Sequence, residues 1–590
     1  MTFFKTQMFV LFFMGITAYS QQFSYPGCTD VTTNDFEMVS LVQKLKTSTS
    51  GMEPLYTKSG IAVDNSINQP IQMDFSAVMS GDSVTHVNIY FVEKNGKLKF
   101  YDGVQKTVSV IGTVNTKTGT DRGLTGIALD PNFKTNKFIY FWYAPTTAGG
   151  DRMALSRFVI DNQNKLDLTS EKILFQAPLN GSGPHQGGPM KFDSQGNLYV
   201  VLGNDSPDHD AKNFSHVSQT NKKTSDEWGA SGTANMRGSI LRIKPDASKP
   251  SGYTIPTDNF GEYWAKYFEQ KGNTTLAAEY RNPAKVLPEI FTKGHRSNFS
   301  VDADPTSNLV SWGEIGPWKV KDPNAANQGG DNYTEEFNLV RHPVFAGYPY
   351  FTGNNITTGG HTVDPLNPIN NSPFNTGVKN LPPASLPLHV YGTPKGDQIG
   401  AITGPIYRYD PTLKSALKMP PHFDGKWFVT DLIEHWILAL SLNTDASAVT
   451  RVDTIFSQFN PHAPLDFHLG PDGALYILNY GTSYAKVPAA IRNPGIVRFE
   501  YKGPQCNAVS IAGKSNFLSK VAFSAQSLNI AEKGEHIIKV YTLSGKLLNN
   551  FSGRGKQVYS LQKLSTFSKG ILIVKVKTLK GESIGKMGRF

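Results

Sequence analysis

GPHQGGPMKFDSQGNLYVVLGND, residues 183–205, decides how the chain is read. Phe192 to Val201 runs as a strand, a polar turn with Gly196, and an apolar strand with Tyr199, which is a strong short-range hairpin signal. His185 stands on the loop entering the first strand, and Gly187 and Gly188 let backbone come close to a ligand. A loop histidine that only closes a turn is the competing reading of the same residues.

Working outward, the unit recurs as FVEKNGKLKFYDG (91–103), LDPNFKTNKFIYFWY (129–143), VDADPTSNLVSWGE (301–314), HFDGKWFVTDL (422–432) and LGPDGALYILNYG (469–481). Six strand-turn-strand copies that must bury their faces by stacking predict an all-β fold, a six-bladed β-propeller over 71–502. The long gaps at 205–300 and 315–421, rich in Gly, Pro, Asn and Asp, are expected to be loops on one face.

Met1 to Ser20 has Lys5, an apolar run from Met8 to Ile16 and a small-residue end, so residues 1–20 read as a secretory signal peptide. The run is too short to span a bilayer, so no transmembrane segment is expected. Residues 21–70 read as a weakly structured lead-in with one short helix near Glu37 to Leu45. After a linker at 503–515, alternating apolar residues with turn signals at Ser544-Gly545 and Lys580-Gly581 predict a small β-sandwich over 516–590.

The formal charge of +10 is a property of the tail. From Pro504 onward 14 Lys and Arg face 3 Glu, a net +11, which leaves the preceding residues near neutral and gives no electrostatic case for nucleic acid. Two cysteines, Cys28 and Cys506, exclude a multi-cysteine metal site. In an oxidising compartment they either pair across a very long loop or remain unrelated thiols.

GLTGIALDPNF (123–133), HQGGPMKFDSQGNLYVVLGND (185–205), NMRGSILRIKP (235–245), PEIFTKGHRSNFSVD (288–302), WGEIGP (312–317), EEFNLV with AGYPYF (335–351), GPIYRYDP (404–411) and PDGALYILNYGT (471–482) resemble, in order, the glucose/sorbosone dehydrogenase family. The resemblance implies a six-bladed propeller that oxidises a sugar or polyol with pyrroloquinoline quinone (PQQ) and calcium. It implies His185 as the base taking the hydroxyl proton and Arg296 as the cation beside the quinone. Asp121 and Arg122 fall at a cofactor-binding position, and Gly316 and Pro317 match carbonyls that hold calcium against the cofactor. Glu336 and Tyr348 match a second calcium region; by residue type alone Glu336 reads equally as an exposed surface acid. The family's further cofactor cations fall near Ile433 or Glu434 and around Ala463 to Leu465.

The tail, with HIIKVYTLSGKLL and KGILIVKVKTLKGESIGKMGRF, looks like a type IX secretion sorting domain. That likeness implies export through the periplasm to the cell surface or medium, with the secretion machinery as partner. A calcium-dependent hydrolase or lactonase, and a non-catalytic carbohydrate- or protein-binding module, are the competing functions on the same plan, because function lives in the site.

Overall fold

The computed structural model describes residues 35–44, 61–119, 121–147, 150–179, 184–205, 220–222, 225–317, 334–358, 363–392, 400–434, 436–456, 463–481 and 494–503, then 521–523, 527–531, 534–542, 547–560, 570–578 and 581–589. The expected signal peptide, most of the expected linker, Cys28 and Cys506 lie outside the described residues. No described helix is long and apolar enough to cross a membrane. The chain divides into two compact units, one of residues 1–24 and 30–504, the other of residues 25–29 and 505–590.

In the first unit the strands form separate sheets. The first sheet joins Pro70–Ser80, Ser83–Glu93, Lys97–Asp102 and Thr107–Thr113; the second joins Leu124–Leu129, Phe138–Tyr143, Arg152–Ile160 and Leu166–Pro178. The third is built on Met190–Phe192, Leu198–Leu202, Ser239–Pro245 and Ile290–Lys293, the fourth on Asn298–Ala303, Val310–Glu314, Thr334–Val340 and His389–Gly392. The fifth holds Ala401–Ile406, Lys426–Asp431, Ile437–Leu442 and Val449–Ile455. The sixth runs from Pro464–Leu469 through Leu475–Asn479 and Gly495–Tyr501 to Phe36–Gln43, where Ala62–Val63 adds in parallel.

This corrects the expected fold. The architecture is an open, mixed all-β arrangement of several separate sheets, none closed into a ring, in place of a closed six-bladed propeller followed by a sandwich. The hairpin copies specify pairing inside a sheet, and pairing carries no instruction for closure. The copies are also unequal: the one at 91–103 supplies the second and third strands of its sheet, and the one at 422–432 begins in the 3-10 turn Pro421–Phe423. Residues 37–43 are strand, not helix, because FEMVSLVQ alternates buried and half-buried side chains along most of its length and finds a partner edge in Gly495–Tyr501.

The gap at 205–300 holds more than loops. Phe260–Gln270 and Thr274–Arg281 form a helical hairpin whose buried Phe260, Trp264, Leu276 and Tyr280 join the core of the third sheet. Phe260 and Trp264, with Tyr267 and Phe268, recur at helical spacing, a signal present in the sequence. The first strands of neighbouring sheets are tied by polar side chains as well as packing. Gln72, 1% exposed, donates to the Met190 carbonyl (2.7 Å) and accepts from the Ile127 and Met190 amides (2.9 and 3.0 Å).

In the second unit Val521–Phe523, Ser527–Ile530 and Gln557–Ser560 form one sheet, and Leu547–Arg554, Glu535–Thr542, Gly570–Thr578 and Gly581–Arg589 another. Leu528, Ile530, Ile538, Val540, Val574 and Val576 from both make one small buried cluster.

Candidate functional site

His185 sits five residues before Met190–Phe192, with its backbone at φ +65°, a left-handed conformation that side chains rarely adopt. Two bonds hold it there. Its N–H donates to Asp121 Oδ2 at 2.5 Å, and its carbonyl accepts from the Asp205 amide at 3.2 Å. Asp121, expected to face a cofactor, therefore holds the histidine's backbone.

The imidazole is 8% exposed, and its Nδ1 stands 2.9 Å from Asn204 Oδ1. Asn204 Nδ2 donates to Asp226 Oδ1 at 2.9 Å, and Asp226 Oδ2 accepts from the Tyr348 hydroxyl at 2.6 Å. This chain orients the ring: an amide whose nitrogen serves Asp226 turns its oxygen to His185, so Nδ1 carries a proton. Asn204 and Asp226 were not read from the sequence as functional, although Asn204 lies in the quoted hairpin itself. Ser225 caps the short helix Asp226–Gly229 by accepting from Trp228 N–H at 3.4 Å, which positions Asp226.

Arg296 converges on the same place. The Asn204 amide donates to the Arg296 carbonyl (2.9 Å), and a Cβ on Gly203 would lie 2.5 Å from the His185 carbonyl oxygen and 2.7 Å from that of Arg296. The two residues thus close on Gly203 from both sides. Glu314 organises the GHRS segment: Oε1 accepts from the Arg296 and Ser297 amides (2.7 and 2.9 Å), and Oε2 lies 2.8 Å from His295 Nδ1. The Arg296 guanidinium donates from Nη1 to the Ile315 carbonyl at 3.0 Å. A second guanidinium, Arg237, is stacked 3.7 Å over Trp228; burial brings its pKa down to about 10 against the pull of Asp205 and Asp226. The sequence reading missed Glu314 and Arg237, and both lie inside motifs quoted for the resemblance.

Gly316 donates its N–H to Glu335 Oε1 at 3.2 Å, and Pro317 is buried beside it. Burial, reinforced by Asp431, pushes the Glu335 carboxyl well above its ordinary range. Glu336 is 4% exposed and so is no surface acid; burial, with Glu314 nearby, raises it to about 8. Its Oε1 accepts from the Gly353 amide (2.5 Å) and Thr352 hydroxyl (3.3 Å), and its Oε2 from Asn338 (3.3 Å).

Among the described residues the side chains do not match the implied groups. Calcium takes charged and carbonyl oxygens, whereas both oxygens of Glu336 already accept from Gly353, Thr352 and Asn338, and Tyr348 gives its hydroxyl to Asp226. Among the described residues no three His, Cys, Asp or Glu side chains stand together as a metal-holding group. A tricarboxylate quinone needs several facing cations. Arg122 is turned to Asp151 (2.9 Å), and Ile433, Ala463 and Leu465 pack with Ile402, Leu432 and Tyr480 in an apolar cluster where further cations would stand. Of the expected cofactor set, Arg296 brings its backbone carbonyl, with that of His185, against Gly203, while its guanidinium donates to the Ile315 carbonyl.

The family model for Glucose / Sorbosone dehydrogenase matches residues 78–262. An uncharacterized protein of Synechocystis sp. is 24% identical over 401 residues, 66% of this chain and 78% of that protein. Hedgehog-interacting protein of Mus musculus is 26% identical over 326 residues, 49% of this chain and 39% of its own length. Among solved structures, the soluble aldose sugar dehydrogenase of Escherichia coli in its apo-form is 17% identical with a TM-score of 0.47, covering 79% of this chain and 99% of that one. The PQQ-bound aldose sugar dehydrogenase of Streptomyces coelicolor is 14% identical with a TM-score of 0.42, covering 73% and 99%. From residue 78 to 262 the chain is similar to the glucose/sorbosone-dehydrogenase-like superfamily.

Proposed function

We propose that this chain is an exported oxidoreductase that acts on a sugar or polyol hydroxyl, with His185 as general base. The observation that carries the reading is the relay of Asn204 and Asp226 that holds His185 through Nδ1, with the backbone of Arg296 against Gly203 from the other side. A neutral imidazole accepts the hydroxyl proton near neutral pH, and an adjacent guanidinium stabilises negative charge as it develops. The hydride leaves carbon for a two-electron acceptor that carries less negative charge than PQQ, since among the described residues Ile433, Ala463 and Leu465 stand where the resemblance puts facing cations. The same apolar packing supports a second reading, a sugar-binding module without redox chemistry. The basic C-terminal unit is proposed as the element recognised by the type IX secretion machinery; unchanged export of a chain lacking residues 516–590 would remove that proposal.

The test is reduction of artificial electron-accepting dyes over a panel of aldoses and polyols, with and without added PQQ and calcium. Turnover without the quinone, falling about 100-fold or more in His185→Ala, is the expected result. Turnover only with PQQ and calcium would overturn the argument about the acceptor. Sugar binding without turnover in any arm would establish the second reading.

A further inference from the structure

His185 and Arg296 precede the N-terminal ends of two first strands. At the opposite, C-terminal ends of such strands lies a cavity of about 810 Å³ that the reaction proposed above does not use. Lys191, Asp302 and His468 line it, from the first strands of the third, fourth and sixth sheets.

These side chains form a built polar floor. Lys191 Nζ donates to His468 Nδ1 at 2.9 Å, and His468 Nε2 donates to Asp466 Oδ1 at 2.9 Å. Asp466 Oδ2 in turn accepts from the Met73 amide at 2.9 Å, so the back of the relay is satisfied by the first sheet. Asp302 is 4% exposed. Its Oδ1 accepts from the Ala303 amide (2.6 Å) and lies 3.5 Å from Lys191 Nζ. Its Oδ2 accepts no hydrogen bond among the described residues, and His468 Nδ1 lies 3.7 Å away. A buried carboxylate oxygen left without a donor costs free energy unless something in the cavity supplies one.

The cavity therefore sets an open acceptor, Asp302 Oδ2, beside an ammonium with hydrogens to donate. Phe75 and Phe192 line the same space and offer apolar faces. Three carboxylates, Asp74, Asp302 and Asp466, against the Lys191 ammonium and the His468 imidazole leave no net positive charge, which disfavours a polyanion. An acceptor and a donor side by side, with rings nearby, suit adjacent hydroxyls on an apolar ring face, and the volume lies in the range of small-molecule sites. We infer that this cavity is a second ligand site, which takes one uncharged polyhydroxylated molecule of about monosaccharide size through Asp302 and Lys191. The inference stands apart from the role given to His185.

The experiment is calorimetric titration of the full chain with methyl α-glucoside, which has no reducing end to be oxidised. Wild type and His185→Ala should bind alike. Lys191→Met should weaken binding at least 10-fold, and so should Ala77→Trp, which fills the cavity mouth from an exposed position and leaves the core untouched. Thermal melts of each variant verify folding, and Ala77→Trp keeps the test decisive if Lys191→Met fails to fold. No binding by wild type, binding unchanged in both cavity variants, or binding lost in His185→Ala but kept in Lys191→Met would each overturn the inference.

Discussion

Between the third and fourth sheets the strand ends carry His185, Asn204, Arg296 and Glu314, a dense polar network drawn tight around Gly203. At the matching ends of the fifth and sixth sheets stand Leu432, Ile433, Ala463 and Leu465, buried against Ile402 and Tyr480. The first region gathers an imidazole, a guanidinium and carboxylates; the second sets apolar side chains beside the buried Asp431 carboxylate, which accepts from the Ile433 amide at 2.6 Å. Two regions in equivalent places of a repeated sheet plan have been given opposite chemistry, and the difference separates the residues that position a proton acceptor from those that would hold an anionic cofactor.

The comparison breaks most directly at Ile433. An ammonium placed there by Ile433→Lys enters the apolar cluster beside Asp431, whose carboxylate is already held by the Ile433, Glu434 and Gly400 amides and the Tyr391 hydroxyl, and a buried charge in such packing costs several kcal/mol. Urea unfolding should show a loss on the order of 3 kcal/mol or more. If Ile433→Lys together with Leu465→Arg kept wild-type stability and gained affinity for PQQ, the apolar side would be a cofactor pocket after all.

A smaller effect sharpens the polar side. Gly203→Ala drives a Cβ to 2.5 and 2.7 Å from two backbone carbonyls, neither of which can swing aside. Gly400→Ala meets the Leu432 Cβ at 3.1 Å on the apolar side, a contact that asks for a shift of tenths of an ångström. The expectation is about 1–3 kcal/mol for Gly203→Ala and clearly less for Gly400→Ala. Equal melting temperatures for the two variants would mean that the polar side is no tighter than the other.

Much of this contrast could be read before the structure. The HQGG and GHR segments placed His185 and Arg296, and the absence of cations near Ile433 and Ala463 was visible by position. The positioning groups were not, because Asn204, Asp226 and Glu314 act across 18 to 22 residues through single hydrogen bonds that leave no periodic trace. At the fold level, hairpin patterning located the strands yet carried nothing about closure, and it hid Phe36–Gln43, whose partner lies over 450 residues away. The helical hairpin at 260–281 escaped because Gly and Asn in the surrounding gap outweighed a short helical period.

Glu336 gives the finest probe of how the polar side tolerates burial. Its ordinary carboxyl value of 4.5 rises to about 8 through burial, with Glu314 adding to the shift. The folded chain therefore keeps a proton that the unfolded chain releases once the pH passes about 4.5. Where the native state binds more protons, stability falls as pH rises, so this group weakens the fold progressively from about pH 4.5 to about 8 and has no further effect beyond. Glu336→Gln is neutral throughout and still offers an oxygen to the Gly353 amide. Its melting temperature relative to wild type should climb between pH 5 and pH 8, by a free energy on the order of 1 kcal/mol per pH unit at most. Parallel melting curves for the two proteins across that window would mean that Glu336 is ionised in the folded state. The polar side would then hold that charge in spite of burial and the neighbouring Glu314.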